Sequence, residues 1–374
     1  MNKAPIVWVN VLVFSVSFLL AATLVPWYAI RYGFTGGEII AGILCLGYSG
    51  MSITAGYHRL WSHKTYQAHA VIRFFYAIGG AFALQNSILH WASDHRNHHK
   101  HVDVNGKDPY SAKQGFWFSH IGWMLREYQG ENYRNYDNVR DLQKDKIVMW
   151  QHKHYLTLVF TTNIGIPLLL GLISGNMLAM FLLAGLLRLV LSHHFTFFIN
   201  SLAHIWGKQT YSQKHTARDN HWLALLTYGE GYHNFHHTFE YDYRNGIKWW
   251  QFDPTKWFIK AASWFGLTSK LRVTPDDRIE RVRVAQHLNS IKSKLSEDDK
   301  HSDILALLEQ EYELLIEHMN AFYAAQKRLL DIKRKKIVKD YKKTDLYHQV
   351  QDLKVRFEIK QRNFLNFELT LSDA

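Results

Sequence analysis

Two stretches, Leu84–Asp103 (LQNSILHWASDHRNHHKHVD) and Gly229–Arg244 (GEGYHNFHHTFEYDYR), share one pattern. Each contains His-x-x-His-His, at His95, His98 and His99 and again at His233, His236 and His237. Residues three or four apart lie on one face of a helix, so each pattern projects three imidazoles from a single helical side. Two further clusters follow the same logic: His58-Arg-Leu-Trp-Ser-His63, and Asn200-Ser-Leu-Ala-His204, whose amide and imidazole are one turn apart. Nine histidines and an amide make a nitrogen-rich set of the kind that suits iron, zinc, copper or nickel. Nine is too many for one ion with about four to six positions, so two metals are the economical reading. Carboxylate bridging of the Glu-x-x-His type is not evident. A lone His-x-x-His-His is equally well a hydrogen-bonding surface feature. Two copies, each just beyond an apolar segment, with Asn-x-x-x-His closing a third, are not.

Around these clusters the chain alternates between apolar runs and polar, basic stretches. Residues 6–28 form an uncharged run, with Trp8 at one end and Trp27 and Tyr28 at the other. About 20 apolar residues span a bilayer core of roughly 30 Å, and tryptophan and tyrosine favour its two interfaces. The run is too long for a secretory signal, and no convincing cleavage site follows it. Further spans are read at about 38–58, 155–173 and 177–200, the last two joined by the tight turn Ser174-Gly175-Asn176. Val71–Trp91 is apolar but interrupted by Arg73, Gln85, Asn86 and His90, which predicts an interfacial or re-entrant helix. The expected fold is therefore all-α: an integral membrane protein with four transmembrane helices in two hairpins. A cytosolic cap drawn from residues 59–150 and 201–275 holds the di-metal site, so that 1–275 is one domain. Beyond it, 276–374 is rich in Lys, Glu and Leu at helical spacing and predicts a charged helical hairpin or short coiled coil.

Composition agrees. Hydrophobic residues make up 47%, and 44 Lys plus Arg against 32 Asp plus Glu leave a net charge of +12. Basic excess with 13 Trp and long apolar runs suits a membrane protein with basic cytoplasmic parts better than a nucleic-acid binder. Basic residues concentrate in the loop after the second span and after the fourth, which puts both termini on the cytoplasmic side. A single cysteine, Cys45, excludes an intramolecular disulfide and a thiolate zinc site.

The wording HRLWSH, LQNSILHWASDHRNHHKHVD, NSLAH and GEGYHNFHHTFEYDYR resembles the histidine boxes of the membrane fatty acyl desaturases, close to the stearoyl-CoA (delta-9) branch, from about Gly42 to Val273. That resemblance implies metal ligation by His58, His63, His95, His98, His99, His204, His233, His236 and His237, with Asn200 holding a water on one of two irons. It implies removal of two hydrogens from a saturated acyl chain at the expense of O2 and two electrons. The substrate is expected as fatty acyl-CoA or another acyl carrier. The electrons are expected from a separate protein such as a ferredoxin, a cytochrome b-type protein or a flavin reductase, because the tail lacks the His-Pro-Gly-Gly sequence of a fused haem domain. Membrane lipids are the other partners and nucleic acid is none. A bacterial inner membrane is the expected location, or the endoplasmic reticulum in a eukaryote.

Methylenes are chemically alike, so the position of the double bond must be chosen by a closed, bent tunnel. Residues of the family's kink match Gln85, Trp91 and Thr196 here. Trp91 also reads as an interfacial anchor. Leu46 and Gly50, before His58, are read either as limits on the acyl tail or as plain helix packing. Ser93 replaces a basic residue of the animal enzymes and Phe197 a tryptophan, so head-group contacts fall to Asn86, Arg96 and Arg218. His193, two turns before Asn200, either borders the tunnel or bonds within the bundle. A histidine-box hydroxylase or an acyl-lipid desaturase is the alternative activity, and a metal-binding membrane scaffold is the non-enzymatic one.

Overall fold

The computed structural model describes residues 4–130, 135–295 and 302–371, the side chains of residues 302 and 367–371 apart. Along the first part of the chain the helices are α1 (Trp8–Arg31), α2 (Gly36–Ser62), α3 (Ala70–Ala83), α4 (Ile88–His101), α5 (Lys146–Lys153), α6 (Tyr155–Ser174) and α7 (Met177–Ile205). The shorter α8 (His221–Leu226), α9 (His233–Thr238) and α10 (Pro254–Trp264) follow. Helices α1, α2, α6 and α7 are long and apolar enough to cross a membrane. α1 leaves Val9, Leu12, Val16 and Leu19 exposed, as a lipid-facing helix does, whereas half of the apolar window of α2 and of α7 is buried.

Local chemistry sets the ends of these helices. Thr35 opens α2 with a capping box, its hydroxyl accepting from Glu38 N and the Glu38 carboxylate accepting from Thr35 N. Gly175, at φ +73°, ends α6, and the Asn176 side chain caps α7 by accepting from Ala179 N. Asn176 Nδ2 also donates to Glu38 Oε1 and to Tyr28 Oη, each at 2.8 Å, which ties the α6–α7 turn to the end of α1 and the start of α2.

The apolar segment read as 71–91 is two helices. α3 stops at Ala83, the chain bends through residues 84–87, and α4 starts behind the Ser87 cap. The last eleven residues of α2, Ser52–Ser62, are wound as a π-helix and carry it past the expected end at 58. Around this segment Ile53, Tyr57, Trp61, Tyr76, Ile88 and Leu89 form the main core. A two-stranded antiparallel sheet, Gln67–Ala68 with Thr268–Ser269, joins the two capping sections.

Contacts divide the chain into two units, Met1–Gln209 with Lys214–Val273, and Thr274–Ala374 with Thr210–Gln213. Among the described residues the second holds three helices, one more than a hairpin, packed at the heptad spacing of a coiled coil: α11 (Asp276–Leu295), α12 (Ser302–Arg334) and α13 (Asp345–Leu371). Its core repeats every seven residues, Leu308, Leu315, Phe322 and Leu329 on α12 and Val350, Phe357 and Phe364 on α13, with Val284, Leu288 and Ile291 from α11. Leu307 and Leu330, adjacent to heptad positions, stay exposed.

Candidate metal centre

The π-helical end of α2 sets the first pair of imidazoles. In an α-helix, residues five apart point about 140° away from each other. In the π-wound segment His63 N instead bonds His58 O at 3.1 Å, and the two rings meet at 4.9 Å between centroids. His95, His98 and His99 come from α4, His204 from the end of α7, and His233, His236 and His237 from α9.

These nine side chains gather into two groups. One is His58, His63, His95, His99 and His236; the other is His98, His204, His233 and His237. Within each group one nitrogen per residue lies within 4.8 Å of all the others. Each His-x-x-His-His helix serves both: α4 sends the i, i+4 pair His95 and His99 to the first group and His98 to the second. α9 sends His233 and His237 to the second and His236 to the first. The two groups therefore adjoin, and His99 stacks on His237 at 4.2 Å.

Nε2 faces Nε2 throughout. The separations are 3.0 Å for His58–His236, 2.8 Å for His63–His95 and 3.0 Å for His99–His236. In the second group they are 3.3 Å for His98–His237, 3.2 Å for His204–His233 and 3.1 Å for His233–His237. Two nitrogens about 2.1 Å from a common ion and at right angles to one another stand about 3.0 Å apart, so the spacing fits shared coordination.

A surrounding layer of acceptors turns the Nε2 lone pairs inward. Asp108 Oδ1 lies 2.9 Å from His98 Nδ1, Glu230 Oε2 2.9 Å from His58 Nδ1, and Glu240 Oε2 3.4 Å from His99 Nδ1. His204 Nδ1 donates to Thr216 Oγ1, which in turn donates to Asp103 Oδ1. Tyr110 Oη is 3.2 Å from His95 Nδ1. Such partners fix the tautomer and raise the basicity of the inward nitrogen. Glu230 also takes Nε and Nη2 of buried Arg59, while Asp253 takes Nη1. Burial opposes the Glu230 charge, but His58 and Arg59 outweigh it and hold the carboxyl at about 2.

Burial, followed by the neighbouring imidazoles, pushes His63, His95, His233, His236 and His237 well below the ordinary imidazole value. Burial also takes His99 to about 4 against the pull of Glu240. Neutral rings with inward lone pairs are what a metal requires. No carboxylate or thiolate belongs to either group among the described residues, so the donor set is all-nitrogen.

Beside the first group lies a cavity of about 410 Å³, walled by α1, by residues 84–94, by Trp123, Met124 and Tyr155, and by α7. Gln85, Asn86, Trp91, Thr196, Asn200 and His193 all line it. Gln85 Nε2 donates to Thr196 Oγ1 at 2.9 Å, and Trp91 stacks on His95 at 4.8 Å, forming the wall between cavity and imidazoles. Leu46 and Gly50 do not line it. The Tyr228 ring packs against Gly50, and its hydroxyl bonds Leu46 O at 3.1 Å. Arg96 is not available to a head group, since Asp141 and the carbonyls of Trp61, Ser62 and Asn138 take its donors. Arg218 Nη1 is turned to Gly207 O at 3.3 Å.

Sequence reasoning missed the acceptors. Glu230 sits inside a quoted motif, three residues before His233, but its partners are His58 and Arg59 some 170 residues earlier, which spacing does not signal. Asp108 and Asp103 reach their imidazoles across a loop that no periodicity marks.

Residues 37–264 match the fatty acid desaturase family profile. The chain is 45% identical over 249 residues to a probable acyl-CoA desaturase of Schizosaccharomyces pombe, covering 66% of this chain and 52% of that protein. It is 37% identical over 279 residues to stearoyl-CoA desaturase 5 of Bos taurus, covering 73% and 82%. To the sn-2 palmitoyl-lipid 9-desaturase of Nostoc sp. (strain 36) it is 35% identical over 278 residues, covering 73% and 93%. The matched segment spans about half the length of the yeast relatives.

Proposed function

The chain belongs to the fatty acid desaturase family, and from that premise we propose that it desaturates a saturated acyl-CoA at the delta-9 position. The observation that carries the reading is the pairing of two all-imidazole groups with an adjoining apolar cavity. Two irons are the metals proposed, one held by His58, His63, His95, His99 and His236, the other by His98, His204, His233 and His237, with Asn200 toward a water. When bound, iron supplies the redox and dioxygen chemistry that an unactivated methylene demands and that redox-inert zinc lacks. In the balanced reaction the acyl substrate gives up two hydrogens from adjacent carbons, a donor protein gives two electrons and two protons enter. Both oxygen atoms leave as water.

The protein's own part is positioning. Trp91, held against His95, closes the imidazole side of the cavity, and the Gln85–Thr196 bond ties two of its walls together. An acyl chain seated there loses its conformational freedom before reaction and presents one pair of carbons. Glu230, Asp108 and Glu240 keep Nδ1 of their histidines protonated so that Nε2 remains a ligand. Our reading puts the cavity at bilayer depth and the histidine groups and both termini on the cytoplasmic side, supported by four helices long and apolar enough to span and by the distribution of basic residues.

Fatty-acid profiling of a desaturase-deficient host expressing the chain, with acyl-CoA and acyl-lipid pools analysed separately, tests the reading. New delta-9 monounsaturated acyl-CoA is expected, together with about two irons per purified chain. Hydroxylated products without new double bonds would reject it, and unsaturation arising first in the lipid pool would move the substrate to acyl-lipid.

A further inference from the structure

α3 ends inside the bundle, where Ala81 O takes the Leu84 N–H at 3.1 Å and the carbonyls after it have no partner within the helix. Three side chains from α6 and α7 meet them. Asn163 Nδ2 reaches Ala81 O at 3.3 Å, Arg188 Nη1 reaches Phe82 O at 2.6 Å, and His193 Nε2 lies 3.1 Å from both Ala83 O and Leu84 O. Both acceptors are carbonyls, so Nε2 carries the hydrogen and shares it between them. Arg188 also bonds Asn163 Oδ1 and lies 3.6 Å over the Phe82 ring, a cation at the negative end of the helix dipole.

The backbone so held is strained. Leu84 has φ +53° and Asn86 φ +72°, and a leucine in the left-handed region persists where its surroundings over-determine it. Those two residues flank Gln85, which lines the cavity where the backbone turns from α3 to α4. His193 is itself a cavity wall, stacked on Phe197 at 5.6 Å and edge-on to Phe14 at 5.4 Å. One imidazole therefore touches both the strained backbone and the space beside it.

We infer that His193 is a positioning residue for the acyl chain: by holding the Ala83 and Leu84 carbonyls it fixes the Gln85–Asn86 bend, and with it the carbons presented to the histidine groups. The inference rests on the acyl-desaturase reading and adds a determinant of double-bond position. Its effect is on where the reaction falls along the chain, separate from the capacity to bind metal.

The test compares wild-type protein with His193→Leu, His193→Phe and His193→Gln, purified at full length. Double-bond position is read by mass spectrometry of derivatised products, iron content in parallel, and hydrogen exchange at the amides of residues 84–87 as a readout independent of turnover. Neither Leu nor Phe can donate, and Phe keeps the ring stacking, so either suffices if the other does not accumulate. Positional selectivity is expected to fall about threefold to tenfold in these variants, the ratio that one net hydrogen bond supplies. Iron content is expected to hold and exchange at residues 84–87 to rise, with Gln recovering most of the selectivity. An unchanged isomer ratio, or unchanged exchange, in the donor-less variants overturns the inference. A wild-type protein that makes no unsaturated product instead counts against the desaturase reading, and the exchange comparison still decides the role of His193.

Discussion

At the scale of single residues, the site is a matter of which nitrogen is left free. His98 has Asp108 at Nδ1, and His236 is surrounded at Nε2 by His58 and His99. Replacing either with alanine is expected to abolish desaturation and lower bound iron, while membrane insertion stays intact, because the four long apolar helices do not depend on the metal. Iron analysis and membrane fractionation of the two variants check this; full iron content in an inactive variant would contradict it. Glu230→Gln is the subtler change. The amide keeps the shape but loses the charge that faces His58 and Arg59, and metal affinity is expected to fall about 10- to 100-fold with the protein still folded. Asp253 remains on Arg59, so the buried guanidinium is not left alone. Competition with a chelator measures the effect. The nine histidines were legible in the sequence because imidazole is rare enough, and their spacing regular enough, to stand out. Their division between two groups was not, since helical periodicity says that three residues share a face without saying that the face looks onto two centres.

At the scale of elements, the decisive features are a π-wound stretch and a helix that stops early. The His58–His63 spacing makes no sense on an α-helix and becomes contiguous on the π-turn, and no residue of 52–62 announces that winding. The stretch is held by α3, which approaches it through Gly79 and Gly80. A Cβ at Gly80 would overlap the Tyr57 ring, and that ring cannot yield: it is fully buried, and its hydroxyl bonds Gln151 Nε2 at 2.7 Å and Asn86 O at 3.3 Å. Gly80→Ala is therefore expected to cost about 1–3 kcal/mol through overpacking. Because Tyr57 supports the Asn86 carbonyl, desaturation should weaken as well. A thermal unfolding series in detergent, with Gly37→Ala as the control where a Cβ meets open space, measures it. Equal midpoints for the two variants would mean that α2 and α3 do not pack as closely as described. The sequence showed α3 and α4 as one interrupted apolar segment because hydropathy registers burial but not direction. The bend at 84–87 depends on side chains from α6 and α7 that are more than 70 residues away.

At the scale of the whole molecule, the two units draw their stability from different sources. The first is organised by apolar helices around polar groups, with Arg59, Glu230, Asp253 and seven of the nine histidines buried together and His99 and His237 half-buried. The second is an ordinary heptad-packed bundle whose interior is Leu308, Leu315, Met319, Phe322, Phe357 and Phe364. Its helical character was plain from leucine spacing; its third helix was not, because α11 offers Val284, Leu288 and Ile291 amid a strongly charged sequence. None of the nine histidines and, among the described residues, none lining the cavity lies beyond residue 273. Every acceptor found at Nδ1 of those histidines also comes from the first unit. Removing 276–374 should then leave iron binding and double-bond position unchanged, although turnover supported by a cellular electron donor is free to change if the bundle assists that encounter. The comparison therefore needs both a chemical reductant with the purified truncated protein and profiling in the host. Retained chemistry in the first assay with loss in the second would assign the bundle to electron delivery. Loss in both, from a truncated protein that is well expressed and membrane-inserted, would mean that the bundle supports the site itself, and the separation of the two units as independent sources of stability would fail with it.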